Sequence, residues 1–263
     1  MSYYVNDEFM KVINEILLDY TSTCNVNTFG GQIIITDDMA NTYNELRGDL
    51  VENGSRDLSD IQEFHGLTVQ PKELNGEFTI VLNKDYILKS INKHNVDWIG
   101  TLVHEAVHVN DFKDYFDLIL PKSFDELYDY NQHRIFLYWT EFHARAIGHY
   151  FLRKYTLENF RDDVHLDNLL KFELPYQMEY MVKEVSATQN RDRQMYVIVH
   201  FLGRVAIWQH LYPDVFNSNF MEGLFRNNPW MEELYNFLIR YDKLEDIYIC
   251  FNEMENILDK HWG

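Results

Sequence analysis

In the stretch Thr101-Leu-Val-His104-Glu105-Ala106-Val107-His108-Val109-Asn110-Asp111, two histidines stand four residues apart with a glutamate between them. On an α-helix that spacing places both imidazoles on one face, where they can share a divalent cation. Glu105 is offset by one position and can reach a water on that cation without filling a coordination site. The chemistry such a set suits is amide hydrolysis by metal-activated water, with Glu105 as general base. Two ordinary core histidines are the plainer alternative, but Glu105 between them would then need burying or pairing at a cost.

A catalytic zinc needs a third protein ligand and an open position. Glu141, in Tyr138-Trp-Thr-Glu141-Phe-His143-Ala144-Arg145, is the preferred third ligand, because Ala144 beside it would let a second helix pack closely on the first. Asp114 ranks next. It stands where His-Glu-x-x-His-x-x-Gly-x-x-His/Asp enzymes place a ligand, but the glycine that would turn the chain is here Asp111. His143 ranks last, since it lies about 200° round the helix from Glu141. Asp111 is a candidate to accept the second ring N–H of a ligand histidine and so fix its tautomer, or is a solvated acid at a helix end. Arg145 is expected to form an ion pair with Glu141 or another acid, with contact to a substrate carboxylate as the alternative.

These side chains need elements to hold them. Asn95 and Asp97 mark a helix start, and the apolar surface from Trp98 to Val109 predicts a largely buried helix. Residues 133–155 read as the helix carrying Glu141. Upstream, residues 6–20 show helical periodicity, 30–37 a short strand, and 40–53 a helix stopped by Asn53-Gly54. Residues 64–70 and 77–83 flank a Pro71 to Gly76 turn and read as a hairpin. The 77–83 strand is expected to pair at its edge with extended substrate. Ser123 and Glu126 form a capping-box pattern, and Asp125, Glu126 and Asp129 read as a solvated helix face. Helical segments near 166–188, 191–211, 214–226 and 229–260 follow, divided by Pro175, Pro213 and Pro229. In the second of these, Tyr196, His200 and Arg204 recur every four residues as a polar stripe, the best source of a donor for a tetrahedral oxyanion.

The order strand, helix, His104-Glu105-x-x-His108 helix, then Glu141 on a separate helix resembles the gluzincin zinc metallopeptidases. Over roughly residues 60–155 it is similar to the core of the ImmA/IrrE-like peptidases, intracellular enzymes associated with phage, mobile elements and stress responses. The resemblance implies a zincin-like core, a zinc cofactor, His104, His108 and Glu141 as ligands, and Glu105 as base.

The fold expected is therefore α+β and mainly helical. A zincin-like core of small antiparallel sheet and motif helix spans residues 1–156, and a helical bundle packed on it spans 157–263, with one continuous domain as the alternative. With 42 acidic and 23 basic side chains the formal charge is −19. That repels nucleic-acid backbones and anionic membranes, and favours a basic peptide or protein as substrate. Cys24 and Cys250 show no ligand spacing, which fits a reducing compartment. The first residues lack a signal-peptide pattern and no apolar run is long enough to span a bilayer, so a cytoplasmic location is expected. Two other readings stay open. One is a non-catalytic acidic protein that sequesters a basic or DNA-binding partner and keeps a vestigial metal site; the other is a structural zinc closed by His143 or Asp114. The sequence does not address oligomeric state.

Overall fold

In the computed structural model, residues 7–52, 58–122, 126–127, 130, 132–157, 162–241 and 243–262 are described. The chain is mainly helical with one small sheet. Helix α1 (Asp7–Cys24) buries Ile13, Ile16, Leu17 and Tyr20 along one face. Strand β1 (Gln32–Thr36), helix α2 (Met39–Glu52) and the single turn α3 (Leu58–Ile61) follow, then strands β2 (Gly66–Val69) and β3 (Thr79–Asn83). Helix α2 is kinked at Arg47, whose φ of −138° leaves the helical region. The expected stop at Asn53-Gly54, Ser123 of the capping box, and Asp125 and Asp129 lie outside the described residues.

The sheet has the order β1-β3-β2. β2 and β3 are antiparallel, with Gly66 opposite Leu82 and Val69 opposite Thr79. β1 runs parallel to β3, with Gln32 opposite Thr79. Two expectations are corrected here. The sheet is mixed rather than antiparallel, because α2 carries the chain back before β3 forms. The 77–83 segment is not an edge: its strand is central, and β1 and β2 occupy both of its hydrogen-bonding sides. The continuous apolar run Ile80-Val-Leu82 is what a strand buried on both faces requires, and all three are at most 1 % exposed. Among the described residues no strand pairs with the outer side of β2.

Asn83 caps α4 (Lys84–Asn92), its side chain accepting from the Tyr86 N–H. Helix α5 (Asp97–Ile119) follows and is covered by the sheet, α1 and α4, so residues from Trp98 to Phe112 are buried almost all round. Its cap is Val96 rather than Asn95. The helix ends at Leu120 in the left-handed region (φ 52°) just before Pro121.

Helix α6 (His133–Leu157) lies against α5. A Cβ on Gly148 would meet the Gly100 carbonyl oxygen at 2.6 Å and the His104 Cβ at 3.1 Å. Glycine at that position is what lets the α6 backbone approach the motif helix. The next helical run is α7 (Asp162–Asn168), a π-helical turn at Leu169–Glu173, and α8 (Leu174–Ala187). The run passes Pro175 without the break the proline predicts, because the wide turn just before it absorbs the lost hydrogen bond. Helix α9 (Arg191–Leu211) packs on the other side of α6, and a Cβ on Gly203 would stand 2.8 Å from the Phe142 carbonyl oxygen. The rest is α10 (Ser218–Phe225), α11 (Pro229–Leu238), α12 (Leu244–Tyr248) and α13 (Phe251–Trp262), so the segment expected as one helix from 229 to 260 is three. One apolar core runs from Ile13 through Val103, Phe136 and Phe201 to Leu258. No helix among the described residues is long and apolar enough to cross a membrane.

Candidate metal centre

Helices α5, α6 and α9 bring His104, His108, Glu141 and His200 together. His104 Nε2 lies 3.1 Å from His108 Nε2. Glu141 reaches both rings, with Oε2 3.7 Å from His104 Nε2 and Oε1 3.6 Å from His108 Nε2. His200 Nε2 lies 2.7 Å from Glu141 Oε2. His104, Glu141 and His200 each offer a ligand atom within 4.8 Å of the others and could hold a metal ion. His108 offers a second, overlapping set with His104 and Glu141, but it approaches the other carboxylate oxygen, Oε1, and stands outside the first grouping. The three histidines are each at most 8 % exposed, while Glu141 keeps 24 % of its side-chain surface open. The site thus opens to solvent past Glu141.

Hydrogen-bond partners separate the two overlapping sets, because they fix where protons sit. The Thr140 hydroxyl donates to Asp111 Oδ2 at 2.6 Å. Its one proton is thereby used, so the contact of 3.0 Å between Thr140 Oγ1 and His108 Nδ1 has the imidazole as donor. His108 therefore offers Nε2 to the site. Asp111 does orient a histidine, but through Thr140 and not directly. On its other side Asp111 accepts from His143 Nδ1 at 3.0 Å, and His143 is not among the residues grouped round Glu141.

His200 is the opposite case. Arg145 Nη2 lies 3.1 Å from His200 Nδ1, and a guanidinium can only donate, so Nδ1 accepts and the ring proton resides on Nε2. His200 then donates to Glu141. This corrects the expected ion pair of Arg145: among the described residues it has no carboxylate within ion-pair distance. His104 differs from both, for its Nδ1 is buried without a hydrogen-bond partner.

The electrostatics follow from this packing. Burial opposes charge on His108, but Glu141, then Glu105 and Asp111, outweigh it and raise its pKa to about 9. Burial pushes Glu141 up, yet His108 and His200 hold it well below the usual carboxylate range. Burial and then Arg145 keep His104 well below the usual histidine value, and lower His200 to about 3. One proton between Glu141 and the two motif histidines is thus favoured, and a divalent cation is the natural replacement for it.

Glu105 is buried behind β2. Thr68 Oγ1 stands 2.9 Å from both its Oε2 and its carbonyl oxygen. Burial raises its carboxyl pKa, with His108 and Thr68 partly opposing. A Cβ on Gly66 would come within 3.1 Å of Glu105 Cγ, so the strand lies directly on this side chain.

Of the remaining expected residues, Tyr196 packs its ring on His200 with centroids 4.0 Å apart. Arg204, one turn beyond His200, touches none of the four ligand candidates. Asp114 is exposed on α5, which stays helical to Ile119, so the turn that would swing it to the metal is missing. Sequence reasoning missed Thr140 and the direct contact of His200 with Glu141. Thr140 stands beside Glu141 in the chain, and a buried hydroxyl facing the motif helix was the signal. No protein-family model, curated protein or solved structure matches the chain.

Proposed function

We propose that the chain is a zinc-dependent peptidase with a zincin-like core, in which His104, His108 and Glu141 hold the metal and leave one position open. The observation that carries this reading is the proton assignment: Thr140 directs the His108 lone pair at the site, while Arg145 leaves His200 as a donor. Two nitrogens and a carboxylate with one open position are the donor set a catalytic zinc uses. When bound, zinc supplies a water acidic enough to ionise near neutrality and polarises a carbonyl.

The protein groups do the rest. Glu105, its carboxyl raised by burial, takes the proton of the attacking water and returns it to the leaving amine. His200 Nε2–H turns from Glu141 to the developing oxyanion, with Tyr196 supporting its ring and Arg145 holding its tautomer. The outer edge of β2, lying against Glu105, pairs with the extended backbone of the substrate. The substrate is an intracellular peptide or protein, and the acidic surface favours one that is basic overall.

The test is zinc content by elemental analysis of wild type, Glu141→Ala, His200→Ala and Asp114→Ala. One zinc per chain, lost in Glu141→Ala and kept in the other two, supports the proposed ligands. Loss in His200→Ala moves the site to the His104, Glu141 and His200 set. No zinc in any form, even after it is supplied, refutes the peptidase reading and leaves an acidic binding protein. Glu105→Gln then separates hydrolysis from binding, since it should keep the metal and abolish cleavage.

A further inference from the structure

Two cations beside the metal centre keep donors that the peptidase reading does not use. Arg145 projects from α6 and spends one Nη2 on His200, while its Nε is buried and has no hydrogen-bond partner. Arg204 on α9 is half-buried and forms no ion pair or hydrogen bond among the described residues. Its chain neighbour Gly203 lies against α6, where a Cβ would stand 3.0 Å from the Arg145 Cβ. The neighbouring acids are already engaged. Glu173 is held by Arg153 and lies 3.6 Å from His149 Nε2. Glu141 serves the histidines, and Glu105 takes Thr68. Burial, and after it the charge of Arg145, lowers the Arg204 pKa to about 9, with Glu173 partly opposing.

Like charges gathered in a half-buried place cost stability, and among the described residues no carboxylate forms an ion pair with either guanidinium; Glu173 attracts Arg204 through space but is bound to Arg153. A guest anion would offset them more fully. The planar guanidinium fork matches a carboxylate in particular, because it can donate two parallel hydrogen bonds.

We propose, building on the peptidase reading, that Arg145 and Arg204 form a subsite for a substrate carboxylate on the leaving-group side of the scissile bond. One imidazole ring, that of His200, separates the Arg145 guanidinium from Glu141. One or two residues of extended chain, at about 3.3–3.6 Å each, cover that span. The anion is therefore a free peptide C-terminus or an acidic side chain one or two residues past the bond. A basic overall substrate is compatible, because the net charge of the chain is −19 while these two side chains are cationic.

The test uses the full chain as Glu105→Gln, so that a bound peptide persists. Three probes are titrated calorimetrically: an N-acetylated tripeptide with a free C-terminus, its C-terminal amide, and an amide whose last residue is glutamate. Binding of the free acid at least tenfold tighter than of the plain amide, with the gap closed by Arg204→Gln, supports the subsite. If the glutamyl amide matches the free acid, a side chain suffices; if it matches the plain amide, the terminus is what is read. Excess acetate should weaken each probe whose carboxylate is read and leave the plain amide unchanged, an arm that does not depend on how Arg204→Gln folds. Equal binding of all three, no binding of any, or a gap that survives Arg204→Gln overturns the proposal. Repeating the titrations without zinc separates the two readings. An acid preference in a chain that takes no zinc keeps the subsite and removes the peptidase. Zinc uptake with no acid preference does the reverse.

Discussion

Replacing Thr140 with valine tests the orientation of His108 with little change in shape. Thr140 is 1 % exposed, and its hydroxyl links His108 Nδ1 to Asp111 Oδ2. Valine keeps the branched form and fills the same space, so the helix contact survives. What is lost is a proton relay. The His108 N–H is left buried without an acceptor, a penalty of about 1–3 kcal/mol. Asp111 retains its bond from His143 and stays partnered. With nothing to fix the tautomer, the His108 Nε2 lone pair is no longer assured at the metal, and removing such an outer partner lowers metal affinity by roughly 10–100-fold. That corresponds to about 1.4–2.7 kcal/mol at about 1.4 per decade. Zinc affinity is measured by competition with a chromogenic chelator, and thermal unfolding of the metal-free forms reports on the fold. Thr140→Ser should restore most of the affinity. If Thr140→Val binds zinc within twofold of wild type while folding normally, the relay has no role and the argument that assigns His108 rather than His200 as ligand fails with it.

Other perturbations probe the same construction from different sides. Gly148→Ala forces a Cβ to within 2.6 Å of the Gly100 carbonyl, so α5 and α6 must part. A loss of about 1–3 kcal/mol follows, a fall in Tm of roughly 3–10 °C, and an unchanged Tm would show that the helices yield freely. In the metal-free protein His108 holds its proton up to about 9, and zinc must displace it. Apparent zinc affinity should therefore fall as pH drops from 9 to 7, by about tenfold per unit for one proton, and a flat profile from a pH-controlled chelator competition would exclude that displacement. The same shift has the opposite sign for folding without metal. A histidine with a raised folded-state pKa stabilises the metal-free fold below its unfolded value near 6.5, and that contribution fades as pH rises through about 9; urea midpoints across this range read it directly.

Two kinds of information separate what was legible in the chain from what was not. His104, His108 and the helix that carries them could be read because they are local: a four-residue spacing and an apolar surface determine one another on a helix. Glu141 was reachable because a small residue nearby hinted at close packing, although Gly148 and Gly203 do more of that work than Ala144 does. Register and pairing were less accessible. The 77–83 segment looked like the second half of a hairpin and is one. Its place at the centre of the sheet, however, depends on β1, about 45 residues earlier, arriving parallel to it. No local pattern encodes such a crossover, and only the unbroken apolar run Ile80-Val-Leu82 hinted that both faces would be covered. Arg145 illustrates the same limit for charge. With an acid four residues before it on one helix, an ion pair was the natural local expectation. The tertiary structure instead commits Glu141 to imidazoles from α5 and α9 and turns Arg145 onto the back of His200. A cation that looks neutralised along its own helix is left without an ion pair among the described residues, and that mismatch between local pairing and tertiary placement is the physical ground for expecting an anion to come from outside the chain.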